Sequence, residues 1–586
     1  MPTSPPAPTQ DRKLFTDSLM LELGRKLVEK GLVSRVQVDD LNSRRALTGE
    51  NLDRLLIKER LVSEAAVLGA LSDLTNIPFR HMAQMTIDPQ AVKQVPARVT
   101  LRYSVMPVTV DKGVITLAVN QVPKPAMVDG LRMLLNLGID WVLCPESEIN
   151  KSIKHFYGLG AETIDNMEDK KEEDTQANNV DLAAETTDEG IVRFVNQIIS
   201  EAIRLGSTDI HIEPFEDSLR LRYRIDGILQ NIPLPKGVES WRKAIASCVK
   251  IMANLNIAEK RKPHDGRIDV RCGDEQFDLR VSILPTTYGE TVNMRILNRG
   301  SMFIDLEHLG LRESQRPTIE YLSSLSHGVV LLTGPTGSGK TTTLYALLSR
   351  INTTGVKIIT VEDPIEYQIH GISQIQVHAQ ISLTFANVLR SILRHNPDII
   401  LIGEIRDMET ADIAVRSSLT GHLVFSTLHT NDAPSAITRL ADMGVEPYLI
   451  SSCLEGVIAQ RLVRRICETC KEEITPPEMI MEEIQAGHPE KSRNAKYYKG
   501  RGCPNCNFTG YKGRIALFEM MVLDDSIRSM IVHQRPSNEI KRTAIDSGMI
   551  TLRREGWNRV LDGMTTIEEV MRVARKADIA AVQAGH

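Results

Sequence analysis

One stretch in mid-chain constrains its surroundings more than any other: Val329-Val330-Leu331-Leu332-Thr333-Gly334-Pro335-Thr336-Gly337-Ser338-Gly339-Lys340-Thr341-Thr342. An unbroken apolar run enters a glycine loop. A series with apolar residues at helical spacing (Leu344, Leu347, Leu348) follows. Gly334, Gly339, Lys340 and Thr341 satisfy the G-x-x-x-x-G-K-[ST] spacing without a gap. Each part has a physical reason. Without side chains, the glycines let backbone N–H groups close around phosphate oxygens. A helix beginning at Lys340 turns its positive N-terminal end toward the same oxygens. Lys340 supplies a point charge for β- and γ-phosphate oxygens, and Thr341 a hydroxyl for Mg²⁺. The stretch therefore predicts a buried strand, a loop for nucleoside triphosphate phosphates built from Gly334 to Thr342, and a helix, within an α/β fold.

Two more buried runs end in acids. Lys357–Val361 leads into Glu362-Asp363-Pro364, and Asp398–Ile402 leads into Gly403-Glu404. In a doubly wound sheet the carboxyl ends of strands face the ligand crevice. One acid then suits organising Mg²⁺ or its water, the other orienting or deprotonating the attacking water. Asp363 before Pro364 also fits a helix N-cap. A third run, His422–Leu428, ends in His429. That histidine fits sensing a γ-phosphate or coupling the site to a neighbour, or else is structural.

Cys467 and Cys470, then Cys503 and Cys506, form two C-x2-C knuckles. Four thiolates at this spacing fit a closed, structural Zn²⁺ site. Cys144, Cys248, Cys272 and Cys453 are scattered among apolar neighbours and read as core. The chain of 586 residues carries a net charge of -5 and only 4% aromatic residues, which argues against a general nucleic-acid surface. It has no run of 18 apolar residues. Its Pro-rich start lacks the apolar core of a signal peptide. A cytoplasmic protein is expected.

Taken in order, residues 1–16 read as disordered. Residues 17–158 form an N-terminal domain. In it, Leu23–Ser34 recurs as Leu52–Ser63 at an offset of 29 residues, each copy a helix, a turn and a Ser-capped second helix. Strand-like runs at Tyr103–Val110 and Val114–Val119 and a helical one at Ala126–Leu135 add an α+β part. The acidic, aperiodic stretch 159–189 reads as a flexible linker. Residues 190–300 form a second α+β domain. There Leu219, Leu221, Tyr223 and Ile225 point one way along a strand, and Arg220, Arg222 and Arg224 the other. Those arginines fit a solvated face with salt bridges, or contact with a phosphate or acidic neighbour. Arg261, Lys262, Arg267, Arg280 and Arg295 form a second basic series. Residues 301–586 hold the nucleotide chemistry, a zinc module at 467–506, and a helical series from Ile515 to the end.

From about Leu21 to Val573 the chain resembles the secretion ATPase superfamily that powers type II secretion and type IV pilus assembly. The most specific segment is Leu393-Arg394-His395-Asn396-Pro397-Asp398 through Gly403-Glu404-Ile405-Arg406-Asp407, around the Walker B glutamate. Thr360–Glu366 resembles the family's Asp box, and Thr420–Asn431 its His box. The resemblance implies a PAS-like domain before a RecA-like ATPase domain, in a hexameric ring. Glu362 would be the general base, Glu404 the metal-organising acid, and His429 part of the same site. Arg261, Arg267 and Arg280 of the PAS-like domain would close onto nucleotide, with Arg220, Arg222 and Arg224 as further candidates. The tetracysteine module resembles that of assembly and export ATPases and is absent from pilus retraction ATPases. The implied partners are an inner-membrane platform protein and cytoplasmic assembly factors, with peripheral membrane association and no nucleic acid.

The N-terminal repeat resembles a module that binds cyclic di-GMP in some relatives. Here Glu22 stands where Arg is expected, Arg44 where Gln is expected, and Asp53 and Arg60 where Gly is expected. Weak or lost binding follows from that departure. A reading of another class is a RecA-like translocase whose zinc knuckle grips DNA. The basic residues Arg461, Arg464, Arg465, Lys471, Lys491, Arg493, Lys496, Lys499 and Arg501 favour it, while the acidic balance opposes it.

Overall fold

The computed structural model describes residues 17–48, 50–160, 163–164, 189–298, 306–493 and 495–574. The stretch 1–16 and most of the expected linker 159–189 lie outside them. The chain folds as two compact units, one built mainly from residues before about 297 and the other mainly from residues after it.

The first unit opens with helices α1 (Asp17–Glu29), α2 (Arg35–Thr48), α3 (Leu52–Lys58) and α4 (Glu64–Thr75). The repeat is physical as well as textual. Leu23 and Leu27 are buried, as are their counterparts Leu52 and Leu56. Each first helix ends in the same turn: Leu32 N–H donates to Leu27 O at 3.0 Å, and Leu61 N–H to Leu56 O at 3.1 Å. The turn residue must be left-handed. Gly31 takes φ 68° there, and Arg60 takes φ 55°. Ser34 and Ser63 hydroxyls then accept from Gln37 N–H and Ala66 N–H.

A three-stranded sheet follows, from β1 (Met106–Asp111), β2 (Val114–Val119) and β3 (Gly138–Leu143). The first pair is antiparallel and the second parallel, with helix Pro125–Leu135 as the crossover. Tyr103 does not begin a strand: it closes the helix Ala97–Tyr103, whose cap Ser104 is left-handed at φ 51°. Next come helix Glu189–Arg204 and β4 (Ser207–Pro214), β5 (Leu219–Ile225), β6 (Ile228–Ile232), β7 (His264–Cys272), β8 (Glu275–Thr286) and β9 (Gly289–Asn298), in sheet order β6-β5-β4-β9-β8-β7. Leu221, Tyr223 and Ile225 are buried on one face of β5. On the other face Arg222 pairs with Glu213 at 2.5 Å and Arg224 with Asp209 at 3.4 Å, while Arg220 lies over the Phe215 ring. This strand is a salt-bridged face.

The second unit is a seven-stranded sheet: β10 (Gly328–Thr333), β11 (Ile358–Glu362), β12 (Ser373–Gln376), β13 (Ile399–Ile402), β14 (Leu423–Leu428), β15 (Leu454–Ile466) and β18 (Tyr511–Val522). Its order is β12-β11-β13-β14-β10-β15-β18, parallel except for β18. The strand before the glycine loop thus sits between β14 and β15, the RecA-like arrangement. Both faces are covered. Val329 and Leu331 join one apolar cluster, Val330 and Leu332 the other. Parallel strands buried on two sides read as continuous apolar runs, which is why periodicity marked them clearly.

Residues 515–522 are a correction, because they belong to a strand that spans Tyr511–Val522. This is the long antiparallel edge strand β18, not the start of a helical series, which begins at Asp525. Ala516, Leu517, Phe518 and Glu519 are buried in succession, so the alternation that signals a strand is missing. Helices Asp525–Val532, Ser537–Asp546, Leu552–Leu561 and Ile567–Val573 complete the C-terminal part. Strands β16 (Lys471–Ile474) and β17 (Tyr497–Gly500) form a separate antiparallel pair between the cysteine knuckles. Of the remaining cysteines, Cys144, Cys248 and Cys453 are buried as expected, and Cys272 is half-buried. Among the described residues no helix is long and apolar enough to cross a membrane.

Candidate nucleotide site and cysteine cluster

Parallel register brings the strand ends together. Thr333, the last residue of β10, is opposite Leu428 on one side and Ala459 on the other. The next residues, Gly334, His429 and Gln460, therefore lie along one edge. On β13, Ile402 is opposite both Ser426 and Val361, which places Gly403-Glu404 beside Glu362 and Thr427. Gly403 N–H donates to Val361 O at 2.8 Å, and Thr427 Oγ1 to Gly403 O at 2.7 Å. The phosphate loop, Glu362, Glu404 and His429 thus share the carboxyl edge of the sheet.

The loop has the form its sequence requires. A Cβ on Gly334 would stand 2.6 Å from both Gln460 O and Ser338 Oγ, and one on Gly339, at φ 88°, 2.9 Å from Gln460 Nε2. The helix Lys340–Ile351 begins where the motif predicts. Lys340 is 9% exposed, and its ammonium donates to Gly334 O at 2.8 Å and Pro335 O at 3.2 Å. Burial pushes it down to about 8; Glu404 opposes that shift and Arg461 adds to it. Thr341 is exposed at the first turn of the helix. Ser338 Oγ is buried without a hydrogen-bond partner. An unsatisfied hydroxyl, a buried cation and a cradle closed to any Cβ together fit a polyphosphate carrying Mg²⁺.

The two acids differ. Glu362 is 4% exposed. Its carboxylate accepts from the Tyr345 hydroxyl, from Thr360 Oγ1 at 2.6 Å and from Gln374 Nε2 at 3.2 Å. Glu404 is more open, pairing with Arg406 and lying 3.1 Å from His429 Nε2. Burial alone would raise the Glu404 carboxyl, but the bonds from Arg406 and His429 outweigh it and hold it below the usual range. Asp363 caps no helix; it faces Arg406 Nη1 at 3.8 Å.

Three residues of this edge escaped the sequence reading: Tyr345, Gln460 and Arg461. Tyr345 lies on the helix after the loop, where its spacing looks like core. Arg461 had been grouped with basic residues near the knuckles, yet it is 7% exposed and donates to Asn431 O at 2.7 Å. Only the register of β15 against β10 signals its place. Others of that basic group are neutralised: Arg464 by Glu569, Lys496 by Glu473 and Lys499 by Glu472. Of the upstream arginines, Arg267 and Arg280 line one concave face with Asp265, Asn293 and Arg295. Arg261, 87% exposed, pairs with Glu259 at 2.9 Å and is not part of that face.

The Sγ atoms of Cys467, Cys470, Cys503 and Cys506 lie within 4.8 Å of one another, all in buried residues. Cys503 and Cys506 Sγ are 3.7 Å apart. Tetrahedral Zn–S bonds of about 2.3 Å place sulfurs about 3.8 Å apart. N–H groups of Cys503 and Gly510 donate to Cys506 Sγ at 3.2 and 3.3 Å, as suits a thiolate. The donor set fits a tetrahedral metal.

This fold and this edge define a RecA-like P-loop ATPase. Residues 184–572 match the family described as "Type II/IV secretion system protein", and residues 75–163 the MshEN domain. The chain is 39% identical over 562 residues to the type IV pilus assembly ATPase PilB of Myxococcus xanthus, spanning 94% of this chain and 98% of that one. It is 40% identical to the type II secretion system protein E of Xanthomonas campestris pv. campestris, spanning 94% and 97%. A solved structure of the pilus retraction motor PilT with bound ADP is 27% identical, with TM-score 0.44, over 65% of this chain and 97% of that one. The chain belongs to the type II/IV secretion system protein family.

The Lys340 shift has a consequence with a definite sign. Its value in the fold lies below the ordinary 10.5, so the free protein loses this proton as pH rises through about 8. A phosphate contact needs the charged form, so binding above that pH must take a proton up. Affinity for a non-hydrolysable ATP analogue is expected to fall by up to about tenfold per pH unit between about pH 8 and pH 10. Calorimetric Kd values that stay constant across that window would remove the Lys340–phosphate contact.

Proposed function

We propose that this chain is a hexameric motor that hydrolyses ATP to drive assembly of a type IV pilus or a type II secretion pseudopilus. It would act from the cytoplasmic side, through an inner-membrane platform protein and cytoplasmic assembly factors. The observation that carries the reading is the convergence of Gly334–Thr342, Glu362, Glu404 and His429 on one sheet edge in a chain that matches an assembly ATPase over nearly its full length. The burial of Arg461 and the ion pairs of Arg464, Lys496 and Lys499 count against the alternative of a DNA translocase.

In this reading Lys340 and the loop N–H groups hold the β- and γ-phosphates, and Thr341 holds Mg²⁺. Bound Mg²⁺ supplies charge neutralisation for the phosphate oxygens. Glu404 orients the metal's water shell, and His429 reports on the γ-phosphate through its contact with Glu404. A water attacks the γ-phosphorus, the bond to the β–γ bridging oxygen breaks, and Glu362 takes the water's proton. Three donors hold Glu362, two on Oε1 and one on Oε2, which leaves a lone pair of Oε2 for the water's proton. Residues 190–300 act as the PAS-like domain. In the working ring Arg261, Arg267 and Arg280 contribute cations to the nucleotide, and domain closure around ATP followed by release on hydrolysis is the force step. Zn²⁺ at the four cysteines is structural.

The N-terminal module is inferred to bind cyclic di-GMP weakly or not at all. Its helices use Gly24 for packing, since a Cβ there would stand 2.7 Å from Val38 Cγ1. The equivalent Asp53 is buried, and burial raises its carboxyl. Arg44 is engaged by Asp40 and Glu59. Docking on the membrane partner remains its role.

Lys340→Ala, Glu404→Gln and Glu362→Gln are each expected to lower ATP turnover by about 10² or more, with the fold kept by circular dichroism. Wild-type turnover in any of them defeats that residue's assignment. Elemental analysis of freshly purified, reduced protein should return about one zinc per chain, and a metal-free result sinks the zinc site. Titration with cyclic di-GMP should show no sub-micromolar heat signal; tight binding would reverse the reading of the module.

A further inference from the structure

Arg461 has no part in the chemistry set out above, yet it is one of the most buried charges at the nucleotide edge. Burying a guanidinium is costly unless its donors are satisfied. Its Nη1 donates to Gln460 O at 3.0 Å, and its Nη2 donates to Asn431 O at 2.7 Å and approaches Thr430 O at 3.5 Å. The same Nη1 would stand 3.0 Å from a Cβ on Gly334. Strand β15 therefore sends one side chain behind the first glycine of the phosphate loop to the segment that follows His429. Carbonyl partners at both ends mean that the guanidinium sets backbone positions.

The segment is held from other sides too. Lys541 Nζ pairs with Asp432 at 3.1 Å, and Ala433 N–H donates to Glu519 Oε1 at 2.7 Å. Glu519 is fully buried on β18, and its other oxygen accepts from Leu552 N–H at 3.0 Å. Residues 430–433 are thus held at each position, and from this segment it is the side chain of His429 that reaches Glu404.

We propose that Arg461 is a positioning residue for ATP hydrolysis. Its planar fork passes behind Gly334, ties Gln460 O of β15 to the 430–431 carbonyls and sets the reach of His429 to Glu404. The proposal rests on the reading that His429 and Glu404 act in turnover. Lysine keeps the charge but offers one nitrogen, so it lacks the fork that meets Gln460 O and Asn431 O with separate nitrogens.

The test uses the full chain and four proteins: wild type, Arg461→Lys, His429→Ala and the double variant. Turnover and the affinity for a fluorescent ADP are measured for each. Arg461→Lys is expected to lower kcat at least about tenfold while nucleotide Kd moves less than about threefold. The double variant should be no slower than His429→Ala, because both changes remove the same contact. Two results overturn the proposal while leaving His429 in place: wild-type turnover in Arg461→Lys, or equal additional slowing in the His429→Ala background. Wild-type turnover in His429→Ala instead overturns the underlying reading, and the proposal with it. If Arg461→Lys does not fold, Arg461→Gln goes through the same cycle. If neither folds, Arg461 is structural and the proposal fails.

Discussion

The parallel hydrogen-bond register of three strands, β14-β10-β15, is the constraint on which the rest of this protein depends. With Thr333 opposite Leu428 and Ala459, β10 and β14 stop at the same height while β15 runs on past them to Ile466, and the next residue of each lies at a common edge. A slip of one residue would turn every side chain to the other face of the sheet. Both faces are apolar and buried, so a slip would leave the phosphate loop, His429 and Gln460 at different levels with little change in the core. The register is what makes an edge of polar residues out of a core of aliphatic ones. The two apolar clusters hold the sheet from both sides and exclude the water that would loosen it.

Charge at that edge is arranged by burial as much as by pairing. Lys340 is destabilised as a cation by its surroundings and meets only carbonyl oxygens within the loop, so an anion improves its environment. Glu404 is held ionised by Arg406 and His429. Glu362 is enclosed by neutral donors. These are three different electrostatic settings within one crevice. They suit three different tasks: binding phosphate, orienting a metal's water shell, and accepting a proton. The motor reading follows from that division of labour and from the family to which the chain belongs.

The N-terminal repeat shows how far a pattern survives without its original residues. The turn after each first helix is the same, down to the bond closing it, although one copy has Gly31 and the other Arg60 at the left-handed position. A left-handed non-glycine residue costs about 1–2 kcal/mol. The buried pairs Leu23/Leu52 and Leu27/Leu56 hold the geometry regardless. Packing of the helical faces, and not the turn residue, keeps the module's shape.

The sequence by itself determined the chemistry of single segments: the glycine loop, the two acidic strand ends, the strand-end histidine, the cysteine pairs and the helical repeat. In each, spacing along a few residues carries the physical requirement. It also marked the buried parallel strands, because a strand covered on both faces cannot alternate. It misread Ile515–Val522, since a strand buried on both faces has no period to separate it from a helix. It placed Arg461 on a basic surface, since a buried arginine and an exposed one look alike in a string. Tertiary structure alone decided that Arg461 reaches behind Gly334, that Tyr345 meets Glu362, that Glu519 anchors the segment after His429, and that Arg267 and Arg280 share a face without Arg261. All of these depend on register between strands or on packing of elements far apart in the chain. Local sequence holds no record of which neighbour a strand will choose.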